Sequence, residues 1–371
     1  MKRILTIKAE AGMVVAGDVY SENNHLVIPR GTVLTIDIID RLKYYSVFDF
    51  YIEEEDKQVK LASYNTDDLE RHIFSEYKIE SGNYYRKIKQ SEQFKVFETM
   101  FQESVNNITE CINAVVTKSE EVNIDQLLDS VKKITDDFNP DVSLFDMIHC
   151  IEGYDDLTYI HSINVALIAR VIGNWMGMSP EECDTLTICG LLHDIGKVMI
   201  PVEIITKPSR LSPTEYALIQ THTIHGYNLL ENIELDERIK LAALQHHERC
   251  DGKGYPKALR YNDIDQFARI VAIADVYDAM TSNRIYRQGI CPFEVISIFE
   301  DNMDAYDPKV LFIFLEKIAQ SYVNTEVVLN GELEGKIVMI NKYALGRPGV
   351  LVGGAYVDLA RQDNMEITAL M

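Results

Sequence analysis

Several things are missing from this chain. No apolar run approaches the ~18 residues that a membrane span requires, because a charge or polar residue breaks each stretch well before that length. The opening, MKRILTIKAEAGMVV, is basic, but Lys8 and Glu10 interrupt it before a signal-peptide core can form. No CxxC pair occurs. The six cysteines (Cys111, Cys150, Cys183, Cys189, Cys250 and Cys291) are scattered, which argues against a disulfide frame or a zinc knuckle and for small buried thiols in a reducing compartment. Together these absences predict a cytoplasmic protein with no membrane insertion. Cations are also scarce: 36 Lys and Arg stand against 58 Asp and Glu, a net charge of −22. That balance opposes wrapping a nucleic-acid polymer, which needs a broad basic surface. It still permits a small anion held by a local cluster of cations. The acidity itself reads as solubility. No internal repeat or low-complexity tract is present.

What is present suffices for a core. At 371 residues and 47% apolar content, the chain can form one large domain with appendages, or two to three domains. Residues 1–55 read as a small β-rich accessory domain: GMVVAGDVY, HLVIPRGTVLT and FDFYI alternate apolar and polar residues, with turn signals at SENN and PRG. A helical stretch, IDIIDRLKYY, precedes the last of these strands. Residues 56–139 read as a helical connector or regulatory region, its first part charged and weakly patterned. Further on, Phe94, Phe97, Phe101, Val105, Ile108, Ile112 and Val115 fall on one stripe, and Ile124, Leu127, Leu128, Val131, Ile134 and Phe138 on a second. Packing of these helices on the next domain suits the pattern better than a dimerising coiled coil, since it runs only about three heptads. A homodimer through 94–138 stays open. Residues 140–322 are helical throughout, and 323–371 return to short strands (EVVLNG, GKIVMINKY, GVLVGGAYVDLA). The fold class is therefore mainly α, a helical catalytic block flanked by small β-rich elements.

Within that block lie seven side chains that can ligate metal: His161, His193, Asp194, His222, His246, His247 and Asp275. Five imidazoles and two carboxylates make a mixed nitrogen/oxygen set able to hold two cations. A lysine and two arginines stand close in sequence, a combination suited to phosphate-ester hydrolysis. The pair His193–Asp194 follows the apolar stretch TICGLL and is expected on a helix buried on one side. An aspartate can bridge two cations while the neighbouring histidine serves one. Lys197 is expected on the same helix face, where it would repel metals unless an anion lay between. The pair His246–His247 ends the helix IKLAALQ and diverges by about a quarter turn, given ~3.6 residues per turn. The loop that follows, DGKGYP, is tight and rigid and can line a pocket. Asp275 sits in the apolar run RIVAIADVYDAM, where a carboxylate is costly unless paired or metal-bound. His161 and His222, taken singly, are more often ordinary core or surface histidines. His225 is a weaker candidate, and His25, His72 and His149 read as ordinary.

Residues 155–308, about 40% of the chain, resemble the HD-GYP family of HD-domain metal-dependent phosphohydrolases. TYIHS, GLLHDIGKVMIP, TKPSRLSPTE, THTIHG, HHERCDGKGYP, RIVAIADVYDAMTSNRIYR and YDP occur in family order with family-like gaps. The resemblance implies an HD-type helical bundle that hydrolyses the bacterial second messenger cyclic di-GMP to pGpG, to GMP, or to both. It implies a centre of iron or manganese. His161, His193, Asp194 and Asp275 would hold one ion; Asp194, bridging, with His222, His246 and His247 would hold the other. Lys197 is similar to the family lysine on the scissile phosphate, and Arg284 and Arg287 match basic positions that grip the dinucleotide. Gly254, Tyr255 and Pro256 form the loop that shapes the substrate side. Some members add a glutamate one turn before the first histidine and hold a third metal; here that position is Leu157, with Asp156 out of phase, so two metals are expected. Two cations roughly 3.5–4 Å apart can bind one water between them and lower its pKa toward neutrality for attack on phosphorus. The rival readings are a degenerate HD-GYP module that binds the messenger without cleaving it, and an enzyme for 3′3′-cGAMP. Retention of all seven ligands, Lys197 and the GYP loop speaks against the degenerate module.

Overall fold

In a computed structural model, the described residues are 2–20, 26–44, 47–52, 84–117, 124–137, 143–151, 157–207, 211–282, 289–362 and 364–371. The N-terminal unit contains β1 (Lys2–Leu5), β2 (Val19–Tyr20), β3 (Leu26–Ile28), α1 (Ile36–Tyr44) and β4 (Asp49–Ile52). β1 pairs antiparallel with β4, Arg3 opposite Tyr51, and β2 pairs with β3. Isolated bridges Val14–Val33 and Val15–Ile52 tie these ribbons together. The apolar alternation is used inward: Val15, Val19, Ile28, Leu34, Leu42 and Phe50 close a small core of their own. β1 was not anticipated, since its partner lies more than forty residues away and KRIL carries no turn signal. Phe48 fastens this unit to the rest, its ring 5.5 Å from Phe312 and 5.7 Å from Tyr343. The Arg3 amide also donates to Asp304 Oδ2 at 3.1 Å.

Among the described residues, three helices follow, α2 (Tyr84–Lys89), α3 (Glu92–Thr117) and α4 (Ile124–Asp137). The stripe on α3 is buried at Phe94, Phe97, Phe101, Ile108, Ile112 and Val115, all within the same core as the helical block. Each such phenylalanine contributes about 1.5–3 kcal/mol on burial. The apolar stripe of α3 is thus covered by this chain itself. Phe138 and most of the weakly patterned connector lie outside the described residues.

The block continues as α5 (Ser143–Cys150), α6 (Leu157–Trp175), α7 (Pro180–Leu192), α8 (Val202–Ile205), α9 (Pro213–Gln220), α10 (His222–Leu230), α11 (Glu237–Gln245), α12 (Gln266–Thr281), α13 (Pro292–Asp301) and α14 (Pro308–Ser321). Capping boxes start α7 (Ser179 with Glu182) and α9 (Ser212 with Glu215), each followed by proline at the first helical turn. α12 is buried from Ile270 to Thr281, so it runs through the middle of the block with its two aspartates inside. No helix among the described residues is long and apolar enough to cross a membrane. The six cysteines are all unbridged.

The C-terminal strands β5 (Glu326–Leu329), β6 (Leu333–Asn341), β7 (Ala344–Val352), β8 (Ala355–Asp358) and β9 (Ile367–Leu370) form one antiparallel sheet in the order β8-β7-β6-β5-β9. β9 was not anticipated; it completes the sheet by pairing with β5 across some forty residues. Val327, Ile337 and Val350 share the core of the helical block. The buried Glu300 of α13 accepts from the Leu345 amide at 2.7 Å, fastening the sheet to the helices.

Candidate metal centre

Helix ends bring the site together. α7 stops at Leu192, His193 is its C-cap, and Asp194 has left helical geometry (φ −100°, ψ 9°) to start a 3-10 turn, Ile195–Met199, that carries Lys197. The expectation of a continuous helix through His193 and Asp194 is therefore corrected. The physical reason is packing. A Cβ on Gly196 would lie 1.9 Å from the His222 carbonyl oxygen and 2.4 Å from the Gly226 amide, so this turn is pressed against α10 in a way that a regular helix with side chains could not be. His222 opens α10, and His246 is the C-cap of α11, with His247 directly after it. His161 lies within α6 and Asp275 within α12, as expected.

The seven residues converge. Asp194 Oδ1 lies 3.3 Å from His222 Nε2 and 3.6 Å from His246 Nε2. Its Oδ2 lies 3.3 Å from His193 Nε2, 3.7 Å from His161 Nε2 and 2.6 Å from Lys197 Nζ. Donor atoms fall into two sets that share this carboxylate, Asp194 with His222, His246 and His247, and Asp194 with His161 and His193. Asp275 belongs to neither set as placed. Its Oδ1 is 2.9 Å from His161 Nε2 and its Oδ2 is 3.9 Å from His247 Nδ1, so it spans the far side of both. Six of the seven are buried, and the His161 side chain is 12% exposed. His225 is only partly buried and joins neither set.

The donor chemistry fits cations. His193 Nε2, both Asp194 oxygens and Asp275 Oδ2 are buried without a hydrogen-bond partner, the close Lys197 contact with Asp194 being an ion pair. Such orphaned acceptors are costly unless something positive faces them. Burial lowers the His222 imidazole to about 3 and holds His193 and His247 below the usual histidine range, leaving neutral, ligating rings. Burial opposes ionisation of Asp194, but the charge of Lys197, with the neighbouring His193 and His246 rings, outweighs it and keeps the carboxylate well below its ordinary range. His161 differs: burial would lower it, yet hydrogen bonds to Asp275 and Asp278 carry it up to about 10. Asp275 is lowered in turn: burial alone would raise it, but the bond from His161 prevails.

Beside the site, the GYP loop is built by close approach. A Cβ on Gly254 would meet the Arg249 amide at 2.4 Å and the His247 carbonyl oxygen at 2.5 Å. The buried Glu248 accepts from the Lys257 and Leu259 amides at 2.6 and 2.8 Å, closing the loop around a cis Tyr255–Pro256 bond. Tyr255 stacks on His247 with ring centroids 4.7 Å apart and an interplanar angle of 25°. Arg284 and Arg287 lie outside the described residues, as do Asp156, His25, His72 and the side chain of Leu157. His149, read as ordinary, is buried against Tyr85 and Tyr277. Asp278, Asn164, Ser282 and Glu248 went unassigned from the sequence. Asp278 carried a usable signal, being a second carboxylate in the same apolar run as Asp275 and one helical turn away.

Residues 147–310 match the family model described as HD domain. Among curated proteins, the "Cyclic di-GMP phosphodiesterase PA4108" of Pseudomonas aeruginosa is 32% identical over 199 residues, 53% of this chain and 48% of the relative. A "Cyclic di-GMP phosphodiesterase" of Thermotoga maritima is 34% identical over 180 residues, 47% of this chain and 48% of the relative. A "3'3'-cGAMP-specific phosphodiesterase 1" of Vibrio cholerae is 34% identical over 178 residues, 47% and 41% of the two chains. The chain thus spans about half or less of the length of these curated relatives. Among solved structures, Bd1817, described as a HDG"Y"P protein from Bdellovibrio bacteriovorus, has the same fold. Its TM-score is 0.51 at 19% identity, over 84% of this chain and 97% of that one.

Proposed function

We propose that this protein is a metal-dependent phosphodiesterase that hydrolyses cyclic di-GMP, to pGpG or onward to GMP. The observation that carries the reading is Asp194, a buried carboxylate shared between two sets of histidine donors with Lys197 at its side. In this reading His161, His193, Asp194 and Asp275 hold one cation. Asp194, His222, His246 and His247 hold the other. An imidazole-rich set suits iron or manganese better than magnesium, which prefers oxygen ligands and retained waters. Leu157 offers no ligand for a third ion. When bound, the two cations supply Lewis acidity toward a water and toward the phosphate oxygens.

The protein's own groups do the rest. Asp194 sets the geometry common to both donor sets. Lys197 exchanges its contact with Asp194 for the non-bridging phosphate oxygens, where charge grows during attack. Tyr255, held on His247 by stacking, walls the substrate side together with Gly254 and Pro256 and excludes water. Arg284 and Arg287 are assigned to the dinucleotide's second phosphate on their sequence context. This local cationic set explains how a chain of net charge −22 takes a dianion. Six unbridged thiols and a soluble messenger fit a cytoplasmic enzyme.

The test is purification without oxygen, elemental analysis, and product analysis on cyclic di-GMP and 3′3′-cGAMP in parallel. Two equivalents of metal and a linear product from cyclic di-GMP are expected. Metal-loaded protein that binds a cyclic dinucleotide without cleaving it would replace the enzyme by a binding module. Preferential cleavage of 3′3′-cGAMP would change the substrate but not the chemistry.

A further inference from the structure

Three of the site histidines orient themselves on the chain immediately before them. His193 Nδ1 donates to the Gly190 carbonyl at 2.6 Å, His222 Nδ1 to Ile219 at 2.7 Å and His246 Nδ1 to Ala242 at 3.0 Å. Each acceptor lies in the last turn of a helix, where carbonyls begin to lose their intrahelical partners; the Ala242 carbonyl also accepts from the His246 amide. Each imidazole is thereby turned so that Nε2 points at Asp194. His161 differs. It lies inside α6, and its Nδ1 is held by a side chain from another element instead.

We propose that Asp278 is the positioning residue for His161, fixing the ring's tautomer and its orientation toward the metal site. His161 Nδ1 lies 2.7 Å from Asp278 Oδ2, across 117 residues of sequence. Asp278 is itself held: its Oδ1 accepts from Asn164 Nδ2 at 2.8 Å and from Ser282 Oγ at 2.7 Å, and the side chain is 2% exposed. Two fixed donors on Oδ1 leave Oδ2 for the imidazole. Asn164 lies three residues after His161 on the same helix, so the clamp joins α6 to α12 at the depth of the site. Asp275, one turn before Asp278, faces the other ring nitrogen at 2.9 Å. One helix thus presents a carboxylate to each side of the ring. With the Nδ1 proton committed to Asp278, Nε2 is the nitrogen available as a ligand.

This inference rests on the reading of the site as a metal centre, and its test separates the two. Long-range proton–nitrogen correlation spectra of the full chain, stripped with a chelator, report directly whether His161 Nδ1 carries a proton, in the charged ring as in the neutral tautomer. The wild type is expected to carry a protected Nδ1 proton, and Asp278→Ala to lose it. Titration with manganese(II) then reads affinity. Asp278→Ala is expected to weaken one of two equivalents by about 10–100-fold, the range for loss of such an outer partner. The equivalent held by His222, His246 and His247 should be unchanged. Asp278→Asn keeps the side-chain shape and an acceptor oxygen, and should recover the tautomer and part of the affinity; it also serves if the alanine variant does not fold. Asp278→Ala with wild-type affinity for both equivalents and an unchanged tautomer overturns the proposal. A wild type that binds no manganese overturns the metal-centre reading, while the tautomer still decides whether Asp278 orients His161.

Discussion

The two halves of the site are assembled differently. On one side of Asp194, His222 and His246 stand at helix ends and are steered by last-turn carbonyls three and four residues away. On the other, His161 stands inside a helix and is steered by a carboxylate from another helix, itself held by Asn164 and Ser282. The first half needs little beyond correct helix termination. The second needs two helices, α6 and α12, in register and a buried polar layer to sustain them. A half built from local backbone is robust; a half built from long-range side-chain contacts can be perturbed from a distance. Buried polar networks carry that risk, since a partly satisfied one costs more than an apolar core.

Asp194 belongs to both halves, so its loss tests the shared frame. Asp194→Ala is expected to abolish turnover, by about 10³-fold or more, since several kcal/mol of transition-state stabilisation is at stake. Elemental analysis should find both metal equivalents gone. Retention of metal and activity would dissolve the comparison, because the halves would then have no common element. Next in size, His246→Ala and His161→Ala should each remove one equivalent and lower turnover by more than the ~10–100-fold of an outer-partner loss. If His161→Ala released both equivalents and His246→Ala only one, the long-range half would be the one that orders the site.

These halves also differ in how legible they were. The doublets His193–Asp194 and His246–His247 announce themselves because adjacent ligating residues in an apolar context are costly without a purpose. Their exact backbone state did not follow: the close approach of Gly196 to the His222 carbonyl ends the helix at Leu192, and nothing local to TICGLL signals it. Asp278 was passed over although the cost argument applied to Asp275 applies equally to it; what the sequence could not supply was the partner, 117 residues earlier. The same distance effect hides β1 and β9, short strands whose stability lies in their partners. The β-rich flanks and the helical block were legible from periodicity. That the C-terminal sheet shares the block's core, while the N-terminal unit keeps its own, was not, since periodicity reports which face is buried and not against what.

A third test addresses the wall beside His247 in the local half. Gly254→Ala would bring a Cβ to within 2.4 Å of the Arg249 amide and 2.5 Å of Glu248 Cα and the His247 carbonyl oxygen. Backbone on three sides cannot yield as a flexible side chain would, so the loop must move. A stability loss of about 1–3 kcal/mol is expected from such overpacking, read as a lower midpoint in urea. Turnover should fall with a rise in KM, because Tyr255 loses its register on His247, while metal content stays at the wild-type value. Loss of metal instead would mean that His247 depends on the loop for its position, making the local half less self-sufficient than its hydrogen bonds suggest.

The smallest effect on turnover is expected behind the long-range half. Asp146 is buried on α5, accepting from Tyr84 OH at 2.7 Å and Tyr322 OH at 3.3 Å, with Tyr85 and Tyr277 also within its field. The Asp278 charge also acts on Tyr277, which links this cluster electrostatically to the layer that holds His161. Burial pushes the Asp146 carboxyl up to about 7, and the two tyrosine hydroxyls only partly offset it. The sign follows from linkage. Between the unfolded value near ~4 and the folded value, the native state holds a proton that the unfolded state has released, so this residue's contribution to stability declines as pH rises through that window and is level above it. Asp146→Asn keeps the shape and cannot titrate. Its midpoint relative to wild type should therefore climb between pH 4 and pH 7 and then stay constant, with turnover at neutral pH little changed. Thermal melts of the two proteins across that range measure the difference directly. A constant difference would mean that Asp146 is ionised in the native protein throughout, with the tyrosines as full partners. The layer behind His161 would then be as insensitive to pH as the backbone carbonyls that steer His222 and His246.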